Sequence, residues 1–461
     1  MTAITTLDTP DRAAVKAART ALLLEGPILS TLLRLAWPNV LVMVAQASTG
    51  LIETFWVSRL GPDALAGMAL VFPGYMMMGM LSAGAVGGGI ASAVARALGG
   101  GRRADADSLV LHALVVNVAL GLITSALFLL FGRAFYAAMG GVGGSLDAAM
   151  RYSDVVFTGN TILWVMNGFA SVIRGSGEMR FPSLVICIGV TLLIPLSPLF
   201  IFGFGPFAGF GVAGGGVAVV ATTSIMAALL GWYVVTGRGI VRLRWARLRG
   251  PLFADILKVG GAGAVNTLLT TFTVALTTGL VGAASGPAGV AGYGTAARLE
   301  YLLIPLVFGI GAPLVAMVGA NVGAGQRERA LRIALTGGAA SFLVCEAIGV
   351  AAALFPAAWL NLFDADPAMI AIGAAYLRSV GPTYGFFGLG LSLYFASQGA
   401  GKLGWPLIAG ALRLTLATGG GWLAWRLTGS PSALFAMLGV ALAGYGLILA
   451  AAVRSGAWFK S

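Results

Sequence analysis

Apolar runs of about 20 or more residues recur along the whole of this chain, and that is the length an α-helix needs to cross roughly 30 Å of hydrocarbon. Twelve can be marked, at 30–57, 64–98, 105–131, 148–175, 181–204, 210–236, 254–281, 288–322, 328–354, 369–398, 405–427 and 432–454. Lipid offers a bare backbone no hydrogen bonds, so spanning segments fold either as helices or as a closed barrel. Barrel strands would alternate in polarity over about ten residues, and these runs are continuous. Composition agrees: 58% of the 461 residues are hydrophobic, only 10% are charged, and the mean hydropathy is +0.93. The expected fold class is an all-α membrane protein with twelve transmembrane helices.

A formal charge of +12 could suggest a nucleic-acid partner, but the placement of the charges argues otherwise. Threaded through twelve spans, Lys and Arg gather on the face of the N-terminus, as at Arg96, Arg102, Arg103, Arg174, Arg180 and Arg238 to Arg249. The opposite face keeps Arg59, Arg133, Arg151, Arg378 and Arg426. This is the positive-inside pattern, which makes both termini cytoplasmic. The basic loops then meet anionic lipid headgroups, and no nucleic acid is expected. Residues 1–27 mix both charge signs and lack the basic, apolar, small-residue order of a signal peptide, so 1–29 reads as a cytoplasmic tail and 455–461 as a second one. Cys187 and Cys345 lie in separate spans without metal or disulfide spacing, and His112, the single histidine, reads as a packed or interfacial residue.

The chain is written twice. "RGSGEMRFP" at 174–182 returns as "QGAGKLGWP" at 398–406, with Gly175, Gly177 and Pro182 each repeated at one offset of 224 (399 − 175). "LGGGRRADA" at 98–106 returns as "VGAGQRERA" at 322–330, and "GPDALAG" at 61–67 as "GPAGVAG" at 286–292 after a slip of one residue. Six spans are an even number, so both halves enter and leave on one face and are related by a pseudo-two-fold axis along the membrane normal. The expected organisation is an N-lobe over 30–236, a basic linker over 237–253 and a C-lobe over 254–454. Two such bundles on a flexible linker form a V that can open to either side. The small-residue runs, such as "SAGAVGGGIASA" at 82–93, suit close helix packing, and none has the strand context or the Lys-Ser/Thr of a phosphate loop.

Within the first span, Glu53 is the one charged residue between Leu35 and Val57. Asn39, Gln46 and Glu53 recur every seven residues with Thr49 between them, which gives an apolar helix one polar stripe. An acid deep in a span costs on the order of 3 kcal/mol on insertion scales, so the stripe should face the bundle interior. A carboxyl out of water favours its neutral form, and one poised this way can take a proton from one side and release it to the other. Weaker candidates for a substrate cavity are Asp154, Asn160, Asn167, Arg298 and Glu300, each of which could instead tie helices together. Glu346 and Arg413 are similarly placed; Met76, Met77, Met78 and Met80 could form a pliable cavity wall, but their composition favours lipid-facing packing.

In their order across the chain, "LLRLAWPNVL" at 32–41, "GLIETFWVSRLGPDALAG" at 50–67, "ARALGGGRR" at 95–103, "RGSGEMRFP", "SPLFIFG" at 197–203 and "NVGAG" at 321–325 resemble the multidrug and toxic compound extrusion (MATE) family over nearly its whole length. The resemblance implies two six-helix lobes that export cationic and amphipathic compounds against inward protons or sodium. It puts Glu53 where the family usually has a coupling Asp, and Pro38 where the first helix can bend. Departures are also visible: an Asn and an Asp of many relatives fall at Leu193 and Ser197, and second-lobe acids at about Thr270. Sodium needs several oxygen ligands, so the reduced acid network favours protons.

The expected function is a secondary antiporter of the inner membrane, a monomer without cofactor or metal, that exports a small organic compound in exchange for protons. A lipid-linked precursor flippase of the same superfamily usually has fourteen spans and a more cationic cavity, and a major-facilitator carrier lacks the "RGSG" and "QGAG" repeat. A membrane enzyme would need a nucleophile, metal cluster or phosphate cradle, and no such motif occurs in the sequence.

Overall fold

The computed structural model describes residues 10–363 and 366–459, so 1–9 of the first expected tail and 460–461 of the second lie outside the described residues. The helices are α1 (Pro10–Glu25), α2 (Ile28–Val57), α3 (Pro62–Gly79), α4 (Gly87–Gly99), α5 (Arg103–Ala138), α6 (Gly143–Thr158), α7 (Asn160–Gly175), α8 (Arg180–Phe202) and α9 (Val212–Val235) in the first half. The second half has α10 (Gly250–Gly323), α11 (Arg327–Leu354), α12 (Pro356–Leu360), α13 (Pro367–Val380), α14 (Tyr384–Ala400), α15 (Gly404–Thr415), α16 (Gly421–Thr428) and α17 (Pro431–Arg454). A two-residue antiparallel hairpin, β1 (Gly203–Phe204) with β2 (Phe207–Ala208), turns the chain between α8 and α9.

Several spans are assembled from more than one helix, and each break has a local cause. α3 and α4 join through a π-helical stretch at Met80–Val86, and α15 and α16 through another at Leu416–Gly420. α6 and α7 bend by 45° at Gly159, and α13 and α14 join through Gly381–Thr383, where Pro382 withholds a backbone donor. The 74 residues of α10 are two spans, because Gly286 (φ 65, ψ −165) takes a conformation that side chains resist and folds the chain back. With these joins made, the described residues resolve into twelve crossings, close to the runs read from the sequence. Length and apolarity alone would give eight helices, or nine with the bent pair counted as one.

Apolar packing follows the two halves, with one exchange. A large core runs from Val42 through α3 to α9, and a second joins Val281 through α17. Leu32 and Ala36 at the start of α2, however, pack among Ile310, Leu314 and Met317 of the second half. Leu252 and Ile256 at the start of α10 reciprocate by joining the first core. The first span of each half thus leans on the other half at the basic end of the molecule.

Polar contacts fasten the same end. Arg96 of α4 reaches Asp255 of α10 at 2.7 Å and the Gly399 carbonyl at 3.2 Å, while Gln398 Nε2 donates to the Gly84 carbonyl at 3.1 Å. Backbones here touch without intervening side chains: a Cβ added to Gly99 would lie 1.9 Å from the Ala320 oxygen.

Two expectations about the connecting segments change. The tail expected over 1–29 contains α1, whose Leu23 is buried and accepts through its carbonyl from Asn321 Nδ2 at 2.9 Å. Leu23 and Leu24 give it an apolar side, which packs into the cluster around Leu314 and Met317. The linker is not slack. Arg103 donates to the Ile240 carbonyl (2.8 Å), the Arg242 amide to Asp107 (3.0 Å) and the Arg249 amide to His112 Nε2 (2.9 Å). Asp105 pairs with Arg249 at 2.5 Å, so two acids at the start of α5 hold this basic stretch.

Candidate functional site

Glu53 lies one turn before the end of α2 and is 5% exposed. Its Oε2 accepts from the Tyr152 hydroxyl of α6 at 3.1 Å, while Oε1 has no partner among the described residues. Tyr75 of α3 faces the same carboxyl and pairs with Thr223 of α9. The carboxyl is therefore enclosed by four helices of the first half. A carboxylate in such a place wants two or more donors, and one hydroxyl on Oε2 leaves the whole of Oε1 without a donor. A neutral carboxyl with its hydrogen on Oε1 has a far smaller deficit.

The rest of the expected stripe divides. Asn39 is buried and its Nδ2 donates to the Leu35 carbonyl at 3.3 Å, next to Pro38, which lacks an amide hydrogen. Thr49 is half-buried and Gln46 is exposed, so the stripe is not turned inward along its whole length. Heptad spacing drifts by about 20° per step on a straight helix. Gln46 also falls between the stretch of α2 that leans on the second half and the stretch enclosed with Glu53.

The other candidates fall into two groups. Asn160 donates to Thr124 Oγ1 at 2.8 Å and Asn167 to Ser82 Oγ at 2.8 Å, so both tie helices within the first half. Asp154 is exposed, and Arg298 is exposed with its guanidinium 5.4 Å over the Phe363 ring near the α12 turn. Glu300 belongs to a cluster: its Oε2 accepts from Tyr376 at 2.9 Å and its Oε1 lies 3.3 Å from Arg413. These three border a cavity of about 40 Å³ with Thr273, Thr277 and Tyr293. That is room for a water or two beside polar walls.

Sequence reasoning missed Tyr75, Tyr152 and Tyr376, because an uncharged hydroxyl does not stand out in an apolar run as a lone acid does. The signal was present in the repeat: Tyr152 and Tyr376 stand at the same offset of 224 (376 − 152) as the glycine pairs. Leu193 and Ser197 are both buried on α8, Tyr75 packs against the Leu193 cluster, and Ser197 Oγ has no partner among the described residues.

A family model described as MatE matches residues 38–199 and again 263–423, once in each half. The FAD transporter of Shewanella oneidensis is 25% identical over 378 residues, which is 81% of this chain and 82% of its own length. A probable multidrug resistance protein NorM of Thermotoga maritima is 26% identical over 387 residues, 82% of this chain and 81% of its own. An outward-facing multidrug resistance MATE family transporter of the MOP superfamily shares the fold with a TM-score of 0.86 at 24% identity, covering 96% of this chain and 99% of that one. A crystal structure of MATE in the straight conformation gives a TM-score of 0.87 at the same identity and coverage.

Proposed function

The chain belongs to the MATE family of multi-pass membrane transporters, and from that premise we propose that it exports small organic compounds in exchange for inward protons, with Glu53 as the coupling carboxyl. The observation that carries this reading is the bare Oε1 of a buried Glu53 whose other oxygen has a single tyrosine donor. Such a carboxyl is stable when protonated and costly when ionised, unless a cation accompanies it. A proton needs only that one oxygen, whereas sodium needs several, and tyrosine hydroxyls are the neighbours at hand.

In this account Glu53 binds a proton while the cleft faces the acidic side and loses it when the cleft faces the cytoplasm. Moving one charge through about 100 mV supplies roughly 2.3 kcal/mol, enough to bias a two-state equilibrium about fifty-fold. The basic ends of the spans are cytoplasmic, as are both termini, and the membrane is the inner one. The lobes are 30–236 and 254–454, with the linker at 237–253. Pro38 provides the bend of α2, and Thr49 and Asn39, without the exposed Gln46, extend the path from Glu53 towards the basic end. The protein acts as a monomer.

Substrates are cationic or amphipathic, in keeping with the multidrug resistance names of several relatives. The FAD transporter among the relatives supports a second reading, an anionic dinucleotide substrate. Proteoliposomes carrying the purified chain distinguish these readings and the driving ion. Ethidium should move under an imposed pH gradient and not under a sodium gradient alone. Sodium-driven movement without a pH gradient would overturn proton coupling, and FAD movement without ethidium movement would overturn the cationic class.

A further inference from the structure

The repeat relates the surroundings of the two carboxyls position by position. Tyr152 and Tyr376 are equivalent, and each donates its hydroxyl to an acid, at 3.1 Å to Glu53 and at 2.9 Å to Glu300. Glu53 has Thr277 as its counterpart at the same offset (277 − 53). Tyr75 has Glu300 as its counterpart after the one-residue slip already seen at "GPDALAG" (300 − 75, or 225). Each half therefore holds one carboxyl and two hydroxyls on three equivalent positions, with the carboxyl on the first helix of one repeat and the second helix of the other. Thr277 borders the same cavity as Glu300, and its buried Oγ1 has no partner among the described residues.

Charge is what separates the two sites. Glu53 is faced by Tyr75 and Tyr152. Glu300 is faced by Tyr293 and Tyr301 from its own span, Tyr376 from α13, Tyr384 from α14 and Arg413 from α15. The Arg413 guanidinium rests over the Phe387 and Tyr445 rings at 5.4 and 5.6 Å, which fixes it against the carboxylate. Among the described residues around Glu300 it is the one cation.

We propose that the second half carries a latent copy of the carboxyl site, in which the tethered guanidinium of Arg413 stands permanently where an exchangeable proton binds in the first half. The ion pair is neutral and self-contained, so it has no call for a mobile cation, and exchange is confined to one half of the molecule. Without Arg413 the pocket would present a carboxyl, a tyrosine donor and an unpaired threonine oxygen, the chemistry already found at Glu53, and would take up a proton. The comparison rests on the reading of Glu53, but the assignment of Arg413 is tested separately.

Infrared difference spectra of the purified full chain, recorded against pH, report carboxyls protonated out of water by their C=O stretch. The wild-type signal should disappear in Glu53→Gln and persist in Glu300→Gln. Arg413→Gln should about double it by freeing a second carboxyl, Glu300→Gln added to Arg413→Gln should remove the increment, and Arg413→Lys should match the wild type. A folded Arg413→Gln with no added signal overturns the proposal, as does loss of the wild-type signal in Glu300→Gln. If Arg413→Gln fails to fold, the Glu300→Gln and Glu300→Gln/Arg413→Gln proteins still decide, since either losing the wild-type signal contradicts it. Persistence of that signal in Glu53→Gln would sink the coupling role of Glu53 while leaving the Arg413 comparison intact.

Discussion

One side chain makes the case at the residue scale. Glu53 stands out in the sequence because it is the single charge in a long apolar run, and burial within the first half agrees with that reading. Its partner was hidden, since Tyr152 lies on a span with its own polar residues and nothing local marks it. Removing that partner tests whether the hydrogen bond matters. Tyr152→Phe should fold normally and slow proton-driven ethidium transport about ten-fold, in line with roughly 1.5 kcal/mol for a hydrogen bond to a charged group. Initial rates equal to wild type would show that the hydroxyl is incidental. Asn160 and Asn167 illustrate a different outcome: amides on a membrane helix that donate across helix pairs, to Thr124 and to Ser82. Sequence could not separate these from Glu53 except by charge, because a hydroxyl from a neighbouring helix can satisfy an amide but does not neutralise an acid.

Elements were the most legible level. Continuous apolar runs set most span ends to within a few residues, α5 running on to Ala138 being the main exception, because lipid thickness and backbone hydrogen bonding leave little freedom. What escaped was the internal fabric of the spans, the π-helical stretches at Met80–Val86 and Leu416–Gly420 and the 45° bend at Gly159, which depend on neighbours rather than on local composition. α1 escaped too, because its apolar side is short and has a docking surface only once α10 is in place. The helix contact with the sharpest consequence is that of α4 on α10. In Gly99→Val the new Cβ would fall 1.9 Å from the Ala320 oxygen, a clash that overpacking data put at ~1–3 kcal/mol if the helices stay together. The halves should part at the basic end, lengthening the distance between spin labels at exposed Arg102 and Glu328. An unchanged distance in the folded variant would mean that this contact does not hold the halves shut.

At the scale of the whole molecule, two copies of one six-span bundle exchange their first helices at the basic end and are clasped there by Arg96 with Asp255 and by Gln398 with Gly84. That packing suits a body with two arrangements, since the clasp consists of a few polar bonds over glycine-lined backbone contacts and the exchanged apolar contacts are confined to the starts of α2 and α10. The repeat made the two-bundle plan readable in advance. The pinned linker was not readable, because a basic loop between two apolar runs looks the same whether or not acids on α5 wait to hold it. Timing the exchange between the arrangements is the role assigned here to Glu53, and it separates carrying from coupling. Glu53→Gln imitates a carboxyl that never loses its proton, so ethidium counterflow between proteoliposome compartments at equal pH should continue while accumulation driven by a pH gradient is lost. Undiminished accumulation under that gradient would contradict the account.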